Sequence, residues 1–239
     1  MPTWLNLAKG PFFRFALVLL ILGLLRLVLL TAWDIGAAVR RAGDRRIPYR
    51  RVLREILSWV FPVVHIHRSR QLYSYASFLL HLGILSTVLF LGNHLDILQA
   101  NGLLANSDLC WFSLLRPLLN LLTLTTILSA TFLFFHRIYV ERSRKLSKLM
   151  DYLLLALILN IFISGFLAGQ PWNPVPYDGL MLFHTLNGLL IMILTPSTKI
   201  AHCVLYPLVR LGTEIAWHLP AQGGSEAIKA LHGPEGRRI

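Results

Sequence analysis

Carboxylates are scarce in this chain. Of its 239 residues only 11 are Asp or Glu, against 23 Lys or Arg, and the long apolar segments contain almost none of them. A proton- or ion-coupled transporter needs ionisable relays inside the membrane, with paired acids or an internal repeat of broken helices. The sequence has no such acid pairs, no repeat and no low-complexity tract. Cysteine is nearly missing too. There are two, Cys110 and Cys203, with no spacing that would hold zinc or an iron–sulfur cluster. No polar stretch is long enough to form a separate soluble catalytic domain.

What fills the chain is apolar. Hydrophobic residues make up 55% and charged residues 14% of the sequence, and the mean hydropathy is +0.60. Runs of about 20 apolar residues recur, each long enough to cross a bilayer. The sequence therefore predicts an all-α polytopic membrane protein with five transmembrane helices in a bundle. Their expected positions are 12–33, 72–92, 113–135, 152–167 and 180–209, the last broken or bent near Pro196. The first segment lacks a small-residue cleavage site after it and reads as an uncleaved span. A five-helix domain over 1–212 and a polar tail over 213–239 follow.

The net charge of +12 would suit nucleic acid if it formed one patch, but it does not. Nine Arg and three acids lie between Asp34 and Gln71. A second basic loop holds Arg137, Arg142, Arg144, Lys145 and Lys148 against Glu141. The alternate loops, His94 to Trp111 and Gly169 to Asp178, carry no Lys or Arg. This asymmetry predicts an outer N-terminus and a cytoplasmic C-terminus in a bacterial or archaeal inner membrane. Lys9 and Arg14, at the outer end, depart from the rule. In this topology Cys110 and Cys203 sit at opposite membrane faces and cannot form a disulfide. Within the first basic loop, Arg50 to Phe61 has apolar residues at helical spacing with Arg on the other face. It reads as a helix in the headgroup layer, against a partner, or in solvent.

Nine histidines are present, and depth sorts them. His184 and His202 are 18 residues apart, five whole turns, so on a straight helix both would share one face about 27 Å apart. His81 lies inside the second span toward the cytoplasmic side, and His94 just beyond its outer end. Depth pairs His81 with His202 and His94 with His184. Two imidazoles from facing helices are the donor set of a bis-histidine haem. From His81 to His94 is about 220° around an ideal helix, but Gly92-Asn93 is a helix stop that lets His94 turn back. If His94 is not a ligand, His184 bonds a quinone or packs in the core. His136 reads as an interfacial side chain or a propionate contact, and His65, His67, His218 and His232 as surface residues. Arg26, in the middle of the first span, is expected to face the bundle interior and meet an anion such as a haem propionate, Asp151 or a backbone carbonyl.

Taken together, FLLHLGIL around His81, GLLR around Arg26, and His184 followed by TPSTKIAH and Tyr206-Pro207 resemble the gamma subunit of respiratory nitrate reductase. The same superfamily includes the membrane cytochromes b of dissimilatory sulfite reduction complexes and of heterodisulfide reductase. The resemblance implies two b haems across the membrane, a quinone or quinol site near the outer one, and a cytoplasmic iron–sulfur subunit with a catalytic subunit. It implies electron transfer between the quinone pool and that partner, with His81, His202, His184 and His94 as axial ligands. In the family the two histidines of the second span are ten residues apart. Here the tenth residue after His81 is Leu91, and the histidine stands at position 94, which leaves a one-haem variant open. A transporter and a structural membrane anchor are the alternatives from other classes.

Overall fold

The computed structural model describes residues 2–42, 49–60, 71–104, 116–173 and 175–216. The expectations for His65, His67, Cys110, His218 and His232, and for the start of the third span, lie outside the described residues. All the regular structure among the described residues is helical. Five helices are long and apolar enough to cross a membrane: Thr3–Arg40, Gln71–Phe90, Arg116–Tyr139, Leu149–Ala168 and Tyr177–Ser197. The chain is a multi-pass membrane protein. Large apolar side chains such as Leu22, Leu85, Leu128 and Leu153 are more than half exposed along these helices, as a lipid-facing surface requires.

In chain order, α1 is Pro2–Leu7 and continues through a π turn, Ala8–Phe12, into α2, Phe13–Ala42. Pro11 lies inside that turn; lacking an N–H, it cannot make the ordinary helical bond there. Next come α3 (Tyr49–Val60), α4 (Gln71–Phe90) and α5 (Gly92–Ala100). They are followed by α6 (Arg116–Tyr139), α7 (Glu141–Leu146), α8 (Leu149–Ala168) and α9 (Tyr177–Leu194). The last helix among the described residues is α10, His202–Ala216.

Two compact units are built from these helices. The first comprises Met1–Leu19 and Ile66–Ile193. Its core joins Leu80 of α4, Ala130 and Leu133 of α6 and Leu155 of α8. At Gly83 of α4 there is no room for a side chain, because an added Cβ would overlap Thr126 Oγ1 and lie 3.0 Å from the Leu122 carbonyl. Small residues at such a crossing let two membrane helices approach closely. The α6–α8 corner is tied by polar bonds. Arg137 Nη1 donates to the Asp151 carbonyl at 3.0 Å, Tyr152 Oη donates to the Arg137 carbonyl at 3.0 Å, and the Lys148 amide donates to the Asp151 carboxylate at 2.9 Å. At the other end Asn101 gathers the N-terminal segment: its Nδ2 donates to the Lys9 carbonyl at 2.9 Å, and its Oδ1 accepts from Arg14 Nε at 2.9 Å.

The second unit comprises Leu20–His65 and Leu194–Ile239. Val52 and Ile56 of α3 pack with Ile215 of α10 against Ile35 and Val39 of α2. Gly23 of α2 faces Pro196 with no space for a Cβ between them.

The last span is broken near Pro196, one of the two forms expected there. His184 and His202 do not share a straight helix. The backbone leaves α9 for a 3-10 turn at Thr195–Ser197, becomes extended at Thr198 (φ −127°, ψ 178°), and makes a second 3-10 turn before α10 starts at His202. Pro196 cannot donate an α-helical bond, and the Thr198 hydroxyl accepts from the Ile200 amide at 3.4 Å, a cap that starts a new helix rather than continuing the old one. The five-turn phase argument therefore does not apply, and each imidazole is aimed by its own segment.

Candidate functional site

The site begins with a break in the backbone. After α4 ends at Phe90, Leu91 is extended (φ −72°, ψ 122°) and α5 opens at Gly92. The break places His94 on the first turn of α5, doubled back on the end of α4, where its Nδ1 donates to the Thr87 carbonyl at 3.1 Å. Gly102, with φ 72°, ends the segment in the left-handed region that glycine adopts without strain.

His184 comes from the first half of α9. Its Nδ1 donates to the Ile161 carbonyl of α8 at 3.1 Å and stands 3.2 Å from the Ser164 hydroxyl. Gly165, one residue on, lies against the imidazole face: a Cβ there would fall 2.7 Å from Cε1 and 3.1 Å from Nδ1 of His184. The ring can occupy this position only because residue 165 has no side chain.

The two rings lie nearly parallel. Their centroids are 6.3 Å apart and their planes differ by 7°. Carbonyl oxygens only accept, so both Nδ1 atoms carry the proton and each Nε2 keeps its lone pair. Burial pushes the His94 imidazole below its usual pKa range, only partly offset by its backbone hydrogen bonds. It is therefore neutral at pH 7, the form that binds a metal. A backbone carbonyl fixing one ring nitrogen while the other is presented outward is the usual support of a metal-bound histidine.

The pair brings two imidazoles together within the first unit. Among the described residues no group of three or more His, Cys, Asp or Glu side chains gathers. The Thr87 hydroxyl is buried with no hydrogen-bond partner, and a buried polar group left in that state costs about 1–3 kcal/mol.

The other candidates are individually defined. His81, exposed on α4, donates from Nδ1 to the Ser77 carbonyl at 2.7 Å. His202, exposed at the start of α10, donates from Nδ1 to the Lys199 carbonyl at 2.7 Å. Both thus carry the same backbone anchor as His94 and His184, His81 in the first unit and His202 in the second. His136 is held by the Ser143 hydroxyl at 3.1 Å and by the Tyr73 ring, 4.9 Å between centroids. Arg26 is exposed on α2.

Sequence reasoning missed Gly165, Ser164 and Thr87. A small Ser-Gly pair inside an apolar span was the only available signal for the first two, and nothing in the sequence singles out Thr87.

Fold and site together define an all-helical, multi-pass membrane protein in which His94 and His184 are brought close together. It is 30% identical over 168 residues, covering 67% of this chain and 69% of the relative, to a protein of Nitratidesulfovibrio vulgaris (strain Hildenborough) named simply "Protein". The chain belongs to the same family as that protein. No protein-family model and no solved structure matches the chain.

Proposed function

We propose that this chain is a membrane cytochrome b, the subunit that carries electrons between the quinone pool and a cytoplasmic iron–sulfur subunit of a respiratory oxidoreductase complex. The observation that carries the reading is the His94–His184 pair: parallel rings 6.3 Å apart, each with Nδ1 tied to a backbone carbonyl. His94 and His184 would hold one haem b, and His81 and His202 a second. Held by two histidines, such a haem would supply one-electron transfer rather than oxygen chemistry.

The chain's own residues do the positioning. The Thr87 and Ile161 carbonyls set both rings in the tautomer that presents Nε2. Gly165 leaves the space in which His184 stands, and the Leu91 break supplies the reversal that His94 needs. Quinol oxidation beside this pair and electron exit on the side of the basic loops complete the reading. The loop charges support an inner membrane with the N-terminus outside and the C-terminus, with the iron–sulfur and catalytic subunits, in the cytoplasm.

A reduced-minus-oxidised visible spectrum of the purified protein, with haem quantitation, tests this. Two b-type haems per chain are expected, and His94→Ala should remove or perturb one while leaving the other. A protein without a b-type α band refutes the reading, and one haem per chain with a spectrum indifferent to His94→Ala refutes the outer pair.

A further inference from the structure

The amphipathic helix α3 is not used by the electron-transfer reading, and only part of its apolar surface is covered by protein. Val52 and Ile56 are buried against α2 and α10. Tyr49, Leu53 and Leu57, at successive four-residue steps, form a neighbouring stripe that is at least half exposed. On an ideal helix this stripe lies about 60–100° from the buried one. Arg50 and Arg54, also exposed, border its far edge. The apolar arc is therefore wider than the contact it makes, and its open half is rimmed by positive charge.

The position of α3 says what covers that half. It meets α2 at Ile35 and Val39, within the last turns of a membrane span that ends at Arg40. Trp33, strongly exposed on the same stretch, has the Arg40 guanidinium 5.6 Å from its ring centre. Tryptophan and arginine at the end of an apolar helix mark the bilayer–water boundary. A helix docked at that height, with an open apolar stripe flanked by arginines, has the pattern of an interfacial membrane-binding helix.

We infer that α3 is a membrane-surface anchor: Tyr49, Leu53 and Leu57 enter the acyl boundary of one leaflet, and Arg50 and Arg54 bind anionic phospholipid headgroups. Each arginine near the surface contributes about a fivefold preference for an anionic membrane. The pair therefore favours an anionic surface by an order of magnitude or more at low ionic strength.

The test uses the full chain, with both native cysteines replaced by serine, reconstituted in phosphatidylcholine with or without phosphatidylglycerol. Leu53→Cys and Leu57→Cys carry an environment-sensitive fluorophore, and quenching by lipids brominated near the headgroup end of the acyl chain is measured. Strong quenching at both positions is expected in the anionic mixture. It should weaken several-fold in pure phosphatidylcholine, in high salt, or when Arg50→Gln and Arg54→Gln are added. The proposal is overturned if neither label is quenched in the anionic mixture, or if quenching is indifferent to both lipid charge and the arginine changes. Labels shielded from bromine and from aqueous iodide alike would mean that protein covers the stripe, which also overturns it. Helix content and haem content of each labelled variant show whether the fold is intact.

Discussion

Gly165→Ala is the smallest change that reaches the proposed outer centre without touching a ligand. The new Cβ would fall 2.7 Å from Cε1 of His184, where ordinary contact begins near 3.4 Å. The imidazole must therefore retreat by about 0.7 Å, the difference between those two distances. It cannot do so freely, because the Ile161 carbonyl at 3.1 Å and the Ser164 hydroxyl at 3.2 Å hold the same ring. Either the ring tilts and stretches these bonds or α8 and α9 separate, and overpacking of this kind costs about 1–3 kcal/mol. For a metal-bound histidine, disturbing the groups that orient the ring lowers affinity about 10–100-fold. The variant should therefore lose or weaken one haem while keeping the other. The assay is haem content per chain with the low-temperature α band and the low-spin electron paramagnetic resonance signals, and circular dichroism as the fold control. Full occupancy with an unchanged outer-haem signal in Gly165→Ala would refute the idea that His184 is positioned against residue 165. Gly165→Leu should then be silent as well.

His202→Ala should remove the second low-spin signal and block electron exit to an acceptor on the cytoplasmic side. Retention of both haem content and quinol-dependent reduction would end that assignment. Reporter fusions after Lys145 should read cytoplasmic and fusions after Ala100 external, while the opposite result would reverse the side on which a partner docks. Gly83→Ala should destabilise the α4–α6 crossing by about 1–3 kcal/mol, because the added methyl meets Thr126 and the Leu122 carbonyl. The check is the detergent-solubilised melting temperature, and an unchanged value would mean that the helices can separate at that point without loss. Asn101→Ala should release the Lys9 carbonyl and Arg14 from α5, raising protease sensitivity before residue 14 with little effect on the haem spectrum.

The apolar runs determined by themselves that this is an all-helical, five-span membrane protein, because hydrocarbon tolerates only backbone that satisfies its own hydrogen bonds. Among the described residues, the ends of the second and fourth spans, the end of the third and the start of the fifth shifted by only a few residues, while the first runs well past both expected limits and the last ends at Ser197. Depth alone, counted from the ends of the spans, brought His94 and His184 to the same level. What depth could not supply was direction. The separation of 220° between His81 and His94 on an ideal helix is cancelled by one extended residue, Leu91, and the single-face argument for His184 and His202 is cancelled by another, Thr198. Such breaks reset helical phase, and a linear sequence marks them only weakly, through Gly92 and Pro196. The supports of the site were beyond reach for the same reason. The Thr87 and Ile161 acceptors are backbone carbonyls, which every residue has, and the space at Gly165 exists only once α9 is laid against α8.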